Sequence, residues 1–538
     1  SDEDTDAGSD DDEAKEALAP NPPSTFAMLS LFDKGPPPSC PAQFNLAAYG
    51  LRHASETPNK TALELIGGSR HDIWSFHRLE QAVLATGAGL LDRGLRPGDL
   101  VLLRLGHSID FPLSFLGAIA VGLVPVPCAA QLTEIEIAKL ILDLAPAAII
   151  YDPEIGCFAT ERAANTACQI IDLAALRDMR QGPPASYLRG DPNRLAYIIY
   201  TSGSSGTPRA VMHAHRTIWA RRMMGADWAD IHRTDRLLHA GAFNWTYTLG
   251  TGLLDPWRCG ATSVISATPG EFNNLPQLLN RHKITIFAAV PAVFRKILAD
   301  QTTLELPKLR HALSAGEKMP DTLQNAWRGA TGCPVYEAYG MSECSTFISA
   351  SPSHPARPGA VGLPQTGRRV AIVDNDGPVA IGTQGMIAIS RHDQGLMLGY
   401  RHAKQALGRL VDGEWFVTGD QGIMDRDGQI EYCGRADDIM TAGGYRVSPL
   451  EVEAALRLYP NIGDIAVTEV EVRPHVSVIA AFYTGSVDLD HDAVNRFVKT
   501  RLARYKQPRL YVHISRLPTG PNNKILRHKL RDYYEASA

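Results

Sequence analysis

The sequence predicts an α/β protein with a large N-terminal domain of several subdomains and largely parallel sheets, followed by a small, mobile α+β C-terminal domain. Two observations predict this fold class. From Phe44 onward, short runs rich in Val, Ile and Leu alternate with helical segments, which is the pattern of parallel strands buried on both faces. The last hundred residues change to a compact mixture of helix and alternating strand. At 538 residues, the chain has room for about three or four structural units.

The N-terminal segment, residues 1–41, is predicted to be a disordered arm. Its first twenty residues hold nine acidic residues against Lys15, and seven prolines follow between residues 20 and 41. Charge repulsion and proline both oppose regular structure. We interpret the segment as a solvated tail, with an interaction tail as the alternative.

The elements of the large domain, residues 42–436, follow from apolar runs of strand length and from helical spacing between them. The most apolar stretch, Phe111–Cys128, is interrupted by glycines and prolines and is shorter than the roughly 20 residues of a membrane span. We expect a buried helix and strand there. The other predicted strands are Leu100–Leu105, Ala147–Tyr151, Leu195–Tyr200, Ser263–Ser266 and Ile284–Val290, and the predicted helices are Ile218–Trp228 and Leu275–Arg281.

The C-terminal residues, 437–538, are predicted to form a separate lid domain. A Gly443-Gly444 turn opens it. The predicted elements after the turn are a helix over Pro449–Leu458, strands over Ile465–Val472 and Val476–Tyr483, and a helix over Asp490–Tyr505.

Charge and cysteine content exclude several classes of protein. The net charge is −5, but the first twenty residues carry −8, which leaves +3 for the rest. This nearly neutral body argues against nucleic-acid binding. The eight cysteines are scattered with no C-x-x-C pair, which argues against a disulfide framework or a structural zinc site. With no basic signal peptide at the N-terminus, we expect a cytoplasmic protein.

A loop rich in glycine and hydroxyl groups follows the predicted strand Leu195–Tyr200. Its glycines let the backbone bend and expose N–H groups, its hydroxyls can donate to phosphate oxygens, and its arginine adds charge. The spacing is not that of a Walker loop, and a flexible surface loop is the alternative. The loop residues predicted to bind phosphate are Thr201, Ser202, Gly203, Ser204, Ser205, Gly206, Thr207 and Arg209.

This loop resembles the signature loop of the adenylate-forming superfamily, which comprises acyl-CoA synthetases, adenylation domains of peptide synthetases and luciferase-like enzymes. Six further segments resemble the superfamily's motifs in the superfamily's order, and the resemblance covers about residues 44–530. Two departures stand out: Arg209-Ala210 replaces the usual Lys-Gly, and Met440 stands where many relatives carry lysine. The six segments are Ser314–Glu317, Tyr336–Glu343, Gly395–Tyr400, Thr418–Asp420, Gly434–Asp438 and Asn523–Arg527.

The resemblance implies a two-step reaction in which a carboxylate attacks the α-phosphate of ATP, pyrophosphate leaves, and a thiol attacks the acyl-adenylate. It implies that Lys524 bridges the substrate carboxylate and the α-phosphate, that Ser342 hydrogen-bonds the α-phosphate, and that Glu343 holds Mg²⁺. Asp437 is the implied hinge of the lid. The other implied contacts to ATP are Gly316, Glu317, Tyr339, Gly340, Asp420 and Arg435.

The acyl site implied by the resemblance includes Phe243, Asn244, Trp245 and Ala338, with Tyr247 as a further candidate. Relatives that activate amino acids carry Asp at the position of Asn244, where it pairs with the substrate ammonium. A neutral Asn disfavours amino acids, because an unpaired buried ammonium is costly. The bulky aromatic side chains favour a short, flat or branched acid, although at least one of them is expected to be a core residue.

Coenzyme A is the acceptor that we expect. The chain ends fourteen residues after Lys524, so we expect no fused carrier domain. The Gly443-Gly444-Tyr445 turn is implied to admit the pantetheine arm, since a small backbone leaves room there. His213 and His215 have H-x-H spacing, but no third metal ligand accompanies them.

The function predicted is therefore an ATP-dependent, AMP-forming acyl- or aryl-CoA ligase for a small hydrophobic or aromatic acid, with ATP, Mg²⁺ and coenzyme A as cofactors. We expect no nucleic-acid partner, no membrane span, and a monomer or homodimer. Three alternatives stay open: a stand-alone enzyme that loads a separate carrier protein, a medium-chain fatty acid–CoA ligase, and a luciferase-like oxidase.

Overall fold

We analysed a computed structural model of the chain. It describes residues 28–69, 71–130, 132–156, 167–201, 209–299, 301–404, 407–408, 410–442, 445–473, 476–485, 489–502, 504–520 and 523–537.

The largest sheet is parallel through its centre and antiparallel at both edges. Its central strands are almost wholly buried, although several of their residues are polar, which fits a parallel sheet whose two faces are covered by helices. From one edge to the other, its strands are Leu363–Pro364, Ser345–Ser349, Val335–Met341, His311–Ala315, Ile286–Ala289, Arg236–His239, Thr262–Ser266, Thr61–Ile66 and Asp72–Ser75.

A second, wholly parallel sheet lies in the N-terminal part of the large domain. The predicted strand Leu100–Leu105 is confirmed there over Leu100–Arg104, and every residue of it is buried. The apolar segment Phe111–Cys128 forms the predicted buried helix and strand, Asp110–Ala120 and Val124–Pro127. From edge to edge the strands are Val124–Pro127, Leu100–Arg104, Ala148–Tyr151 and Gln169–Asp172.

The remaining sheets of the large domain are antiparallel, so the parallel prediction does not extend to them. The strand Leu195–Thr201 pairs with Arg209–Ala214, which pairs in turn with Gly399–Tyr400. The last sheet contains, in order, Leu31–Phe32, Val370–Val373, Gln384–Ser390, Trp415–Met424 and Leu410–Val411, with Ile430–Arg435 paired to Trp415–Met424.

The prediction of a disordered arm over residues 1–41 is wrong for its last part. Leu31 and Phe32 pair with Ala371 and Val370, and the Trp219 indole donates to the Pro38 carbonyl. The prolines that exclude helix are compatible with this extended path. Residues 1–27 lie outside the described residues.

The C-terminal residues form a mixed unit with its own apolar core, which includes Met440, Val452 and Leu456. The strands Ile465–Arg473 and Val476–Tyr483 are antiparallel, and Leu510–His513 adds in parallel. The predicted helix Asp490–Tyr505 is shorter in the structure, His491–Lys499, and Asp490 caps it. The hairpin Met440–Ala442 and Tyr445–Val447 precedes these strands. The boundary at residue 437 stays a prediction.

Helices pack on the sheets of the large domain and of the C-terminal unit. The predicted helix Ile218–Trp228 is divided in the structure into three short turns. They are an α-helical turn (Thr217–Ala220), a 3₁₀ turn (Arg221–Met224) and a π-helical turn (Gly225–Ala229). The α-helices are Leu46–Gly50, Phe76–Asp92, Asp110–Ala120, Glu134–Leu144, Leu173–Met179, Thr217–Ala220, Asp255–Arg258, Leu275–Arg281, Pro291–Leu298, Asp321–Thr331, Pro449–Leu456, His491–Lys499 and Arg527–Ser537.

Candidate active site

The site forms at the carboxyl ends of two neighbouring strands of the largest sheet, where open α/β sheets generally bind ligands. His311–Ala315 leads into the turn that contains Gly316 and Glu317, and Val335–Met341 carries Tyr339 and Gly340. Gly316 has φ +93°, and a Cβ there would lie 2.6 Å from the Trp245 ring. Only glycine fits this turn without strain.

Tyr339, Asp420 and Arg435 converge from three strands. The Tyr339 hydroxyl donates to Asp420 Oδ2 at 2.6 Å, and Arg435 Nη1 lies 3.8 Å from Asp420 Oδ1. Asp420 and Arg435 are register partners on adjacent strands. Burial raises the pKa of Asp420, and the charge of Arg435 opposes this rise. The structure therefore brings together residues that the sequence places up to about a hundred positions apart.

Glu343 is buried beside these residues, and its carboxylate is held by Tyr400. The Tyr400 hydroxyl donates to Glu343 Oε1 at 2.7 Å, and the Arg209 guanidinium lies 4.5 Å from the centre of the Tyr400 ring. The Gly395–Tyr400 motif makes this contact possible, since Met397 N donates to the Glu343 carbonyl. Tyr400 is a site residue that the sequence did not predict individually, although it ends the Gly395–Tyr400 motif.

The phosphate loop connects two antiparallel strands. Thr201 and Arg209 are register partners at the end of this hairpin where the loop joins its two strands. Ala210, which departs from the usual glycine, is buried in the strand after the loop, so the departure falls within regular strand. The predicted phosphate-binding residues between the strands, Ser202, Gly203, Ser204, Ser205, Gly206 and Thr207, lie outside the described residues.

Lys524 reaches the same site from the C-terminal unit. It is exposed and lies on a tight turn, where Gly520 N donates to the Lys524 carbonyl at 2.8 Å. Its positive charge lowers the pKa of both Asp420 and Glu317, although burial is the larger effect and raises both values. Ser342 stands in the turn before Glu343. The structure thus gathers Lys524, Glu343 and Asp420 around one site.

Some side chains of the predicted acyl segment lie in the hydrophobic core, and others lie beside the candidate site. Phe243 is buried and stacks on Phe111, with ring centres 4.8 Å apart. Tyr247 belongs to the same buried cluster as Ala338, which confirms that at least one aromatic is a core residue. Asn244 and Trp245 are half-buried, and the Trp245 ring stands 5.3 Å from the Tyr247 ring. Trp245 is therefore the aromatic that reaches the Gly316 turn.

The acceptor turn and the hinge are described only in part. Gly443 and Gly444 lie outside the described residues, and of Tyr445 the structure describes the strand alone. Asp437 lies in a 3₁₀ turn, Ala436–Asp438, with its side chain 67% exposed. This turn joins the last strand of the large domain to the C-terminal hairpin.

The H-x-H pair does not form a metal site. Both side chains are buried, His215 Nδ1 accepts from Leu46 N at 3.0 Å, and the His213 ring stacks on Tyr197. Burial lowers the pKa of each histidine to about 3. Among the described residues, the cluster with metal-ligand spacing is instead Glu64, His71 and His282; the Arg236 guanidinium bonds the same carboxylate.

Comparison with known proteins decides the family. The model of the AMP-binding enzyme family matches residues 51–401, which is more than half of the chain. The chain belongs to this family. The match ends before Asp420. The C-terminal unit of this AMP-binding enzyme is therefore compared with that of relatives aligned along most of their length.

Relatives and solved structures of similar length extend the comparison. The chain is 28% identical over 495 residues to a 3-hydroxybenzoate–CoA ligase of Aromatoleum sp. (strain CIB), covering 88% of this chain and 93% of the relative. It is 28% identical to the mitochondrial acyl-coenzyme A synthetase ACSM2B of Homo sapiens, covering 91% of each.

The fold matches that of the anthranilate CoA ligase AuaEII in complex with anthranoyl-AMP, with a TM-score of 0.85 and 26% identity over 93% of this chain and 99% of that one. It also matches a benzoate CoA ligase from Burkholderia xenovorans LB400, with a TM-score of 0.82 and 25% identity over 91% of this chain and 100% of that one.

These findings confirm the predicted superfamily, the fold class of a large α/β domain with a smaller C-terminal domain, and the prediction of an AMP-forming CoA ligase that works through an acyl-adenylate. ATP and coenzyme A are its substrates. Within the described part of the chain, no helix has the length and apolar character needed to cross a membrane.

Proposed function

We propose that this AMP-binding enzyme joins a small aromatic carboxylic acid to coenzyme A. The observation that carries the acid class is the Asn244–Trp245 pair. Asn244 offers no charge for the ammonium of an amino acid, and Trp245 packs against the Gly316 turn, where it shortens the space for an acyl chain. The similar proteins include a 3-hydroxybenzoate–CoA ligase, an anthranilate CoA ligase and a benzoate CoA ligase, and these names support the same class of acid.

The first half-reaction is positioning and electrostatics more than acid–base chemistry. The acid's carboxylate oxygen attacks the α-phosphorus of ATP, a bond to phosphorus forms, and pyrophosphate leaves with the electron pair of the bond that breaks. We propose that Lys524 lies between the carboxylate and the α-phosphate as a point charge. Ser342 would hydrogen-bond the α-phosphate.

The nucleotide is held by the convergent strands. We propose that Asp420 accepts from the ribose hydroxyls, that Arg435 adds a ribose or phosphate contact, and that Tyr339 faces the adenine. The hydrogen bond from Tyr339 to Asp420 aligns both groups before ATP arrives. Gly316, Glu317 and Gly340 would complete the walls, and Thr201, Arg209 and the loop between them would hold the β- and γ-phosphates.

Glu343 suits Mg²⁺ by the chemistry of its donor atoms. Magnesium that bridges phosphates takes one or two protein carboxylates, and the Glu343 carboxylate is buried with Tyr400 holding one of its oxygens. Bound there with ATP, the ion would neutralise charge on the phosphates. Tyr400 would fix the carboxylate's orientation.

In the second half-reaction, the coenzyme A thiol attacks the acyl carbon, a thioester forms and AMP leaves. We propose that the Gly443-Gly444-Tyr445 turn admits the pantetheine arm and that the C-terminal unit reorients about Asp437. A cytoplasmic location and a monomer or homodimer are proposals too. The scattered cysteines of the sequence, which form no C-x-x-C pair, support the location, since such a distribution suits a reducing compartment.

The test is pyrophosphate release over a panel of carboxylic acids, with and without coenzyme A, followed by identification of the thioester and AMP. We expect coenzyme-A-dependent thioester from benzoate-sized aromatic acids. Release driven only by amino acids would contradict the acid class. Adenylate formation with no transfer to free coenzyme A would favour a carrier protein as the acceptor.

A further inference from the structure

Two histidines and a glutamate meet at one edge of the largest sheet. Glu64 lies in the strand Thr61–Ile66, which pairs with Asp72–Ser75 in a hairpin at this edge, the edge hairpin. Glu64 Oε1 lies 2.7 Å from His71 Nε2 and 3.2 Å from His282 Nδ1, and the three ligand atoms all lie within 4.8 Å of one another. Two imidazole nitrogens and one carboxylate oxygen form a common ligand set for Zn²⁺.

The three residues come from different parts of the fold. Glu64 is opposite Ile73 in the edge hairpin, and His71 stands two residues before Ile73, which places it diagonally across from Glu64 on the same face, within reach of a long side chain. His282 ends the helix Leu275–Arg281, and its backbone N–H is hydrogen-bonded to the last turn of that helix. The backbone at each position is thus fixed by regular structure.

Arg236 holds the two inner side chains in place. Its guanidinium donates to Glu64 Oε2, which leaves Oε1 to face the imidazoles, and its Nε donates to the His282 carbonyl at 2.9 Å. Hydrogen bonds of this kind around metal ligands fix the orientation of the ligands. The positive charge of Arg236 lowers the affinity for a cation, but it acts through the other oxygen of the carboxylate and does not close the site.

The distances suit a tetrahedral ion with one ligand position left for water. Ligand atoms bound to tetrahedral Zn²⁺ are roughly 3.3 Å apart, and the spacing of 3.2 Å between Glu64 and His282 matches this value. His71 is closer to Glu64, but its side chain is 52% exposed, so it can move outwards by about half an ångström and admit an ion from solvent. With the ion bound, each neutral imidazole carries its proton on the ring nitrogen that faces away.

The cluster is separate from the candidate active site. The strand that contains Glu64 is four strands from His311–Ala315 in the largest sheet, which is about 19 Å at roughly 4.8 Å per strand. Arg236 begins its strand, and His282 precedes the strand Ile286–Ala289. The cluster therefore lies towards the amino ends of these parallel strands, whereas the candidate active site lies at the carboxyl ends.

We propose that Glu64, His71 and His282 form a Zn²⁺ site that connects the edge hairpin to the helix Leu275–Arg281. The bound ion stabilises the large domain and takes no part in the ligase reaction, so the inference does not depend on which acid the enzyme activates. Mg²⁺ is disfavoured at this site, because it prefers oxygen ligands and octahedral geometry.

The experiment is a calorimetric Zn²⁺ titration of the full chain after treatment with a chelator. It is done at pH 7.5, where a histidine of ordinary pKa is neutral, and with Mg²⁺ in excess. We expect one Zn²⁺ per chain to bind at the cluster. His71→Asn and His282→Asn should each weaken this binding by about ten-fold or more, since loss of even an outer partner of a metal ligand costs that much. Zn²⁺ should raise the urea midpoint of the wild type and not that of His71→Asn, because a ligand of the folded state stabilises it.

His77→Asn is the matched control, because His77 is exposed and lies six residues after His71. It should bind Zn²⁺ as the wild type does. No binding by the wild type, or equal binding by the wild type, His71→Asn and His282→Asn, would overturn the inference, and so would equal losses in His77→Asn and His71→Asn. Thioester formation with ATP and Mg²⁺ should proceed at the same kcat in the wild type and in His71→Asn, so failure of the metal site would leave the proposed function standing.

Discussion

At the residue scale, Lys524 is an exposed ammonium on a tight turn, and its charge acts on two carboxyl groups, Asp420 and Glu317, whose pKa values are raised by burial. We predict that Lys524→Ala slows adenylate formation by about 10²-fold or more, because losing one preorganised charge costs roughly 3 kcal/mol in the transition state. A supplied acyl-adenylate should still react with coenzyme A. Single-turnover rates for each half-reaction measure the effect.

Lys529→Ala is the matched control for that substitution, since Lys529 is also exposed and lies five residues further along. It should leave both half-reactions near the wild-type rate. Equal damage to both half-reactions in Lys524→Ala would remove the basis for assigning Lys524 to the first.

A second prediction about a single residue concerns Trp245, which we expect to limit the size of the acid. Its ring occupies the space beside Gly316, so Trp245→Ala should open the pocket towards bulkier acids. We predict that kcat/KM for benzoate falls by about ten-fold, while the value for naphthoate or a medium-chain fatty acid rises. The pyrophosphate assay over acids of increasing size checks this. A uniform loss for all acids would show that Trp245 supports the fold and not the acid's size.

At the scale of elements, the predicted strands match the observed ones within one or two residues, because short apolar runs rich in β-branched residues and bounded by turn residues favour strand. The helix predicted over Ile218–Trp228 is irregular instead. Arg221 in its middle forms a buried ion pair with Asp255, Nε to Oδ1 at 2.7 Å, a tertiary contact that periodicity does not report. The phosphate-loop hairpin is antiparallel for a related reason: the loop between its strands is too short for a parallel crossover.

Arg527 ties the final helix to the body of the C-terminal unit. It donates from Nη2 to Glu453 Oε1 at 2.6 Å and from Nε to the Val467 carbonyl at 3.2 Å. Glu453 is almost fully buried. Arg527→Met should destabilise this unit by about 3 kcal/mol, because it leaves a buried carboxylate short of a partner.

Hydrogen exchange of the amides in Pro449–Leu456, measured in the full chain, tests this effect locally. Arg531→Met is the control, since Arg531 is partly exposed and stands 3.6 Å from Asp438. It should change exchange far less. Unchanged exchange in Arg527→Met would mean that the Glu453 contact contributes little to stability.

At the scale of the whole molecule, one site must hold ATP with Lys524 inside and later admit coenzyme A. Reorientation of the C-terminal domain about a few residues resolves this conflict. Proline at position 437 would fix φ near roughly −65° and remove a donor. Asp437→Pro should therefore leave adenylate formation largely intact and depress thioester formation by about 10²-fold, as single-turnover rates would show.

Asp437→Ala keeps the backbone free and serves as the control for loss of the exposed carboxylate. If Asp437→Pro slows both steps equally, or neither step, the pivot lies at another residue.

The folded chain also buries histidines in their neutral form, which makes its stability depend on pH. The pKa of His213 falls to about 3 in the folded state, below the ordinary value of about 6.5. Below pH 6.5 the unfolded chain therefore binds a proton at this histidine, whereas the folded chain does not. This histidine has little effect on the free energy of unfolding above pH 6.5, and it lowers that free energy increasingly as the pH falls towards 3. In His213→Phe, the loss of unfolding free energy between pH 7.5 and 5 should be smaller by about 2 kcal/mol.

Urea unfolding followed by tryptophan fluorescence measures this free energy. All seven tryptophans precede residue 416, so the fluorescence reports unfolding of the large domain, which contains His213. His392→Asn, at a side chain that is 77% exposed, should leave the pH dependence unchanged. An identical pH dependence in wild type and His213→Phe would contradict the neutral burial of His213.

The sequence by itself determined the type of reaction that this protein catalyses. Each motif is a short local pattern, so its residue types can be recognised without knowing which residues lie near them in space. The sequence also predicted some of the strands, such as Leu100–Leu105 and Val476–Tyr483, since apolar runs encode burial directly, but it did not predict others in the largest sheet, such as His311–Ala315. Tertiary structure alone decided which side chains meet. Tyr339 and Asp420 are 81 residues apart and share a hydrogen bond, and Glu343 and Tyr400 are 57 residues apart and share another. Such contacts depend on how strands stack and cross, so no local spacing contains them.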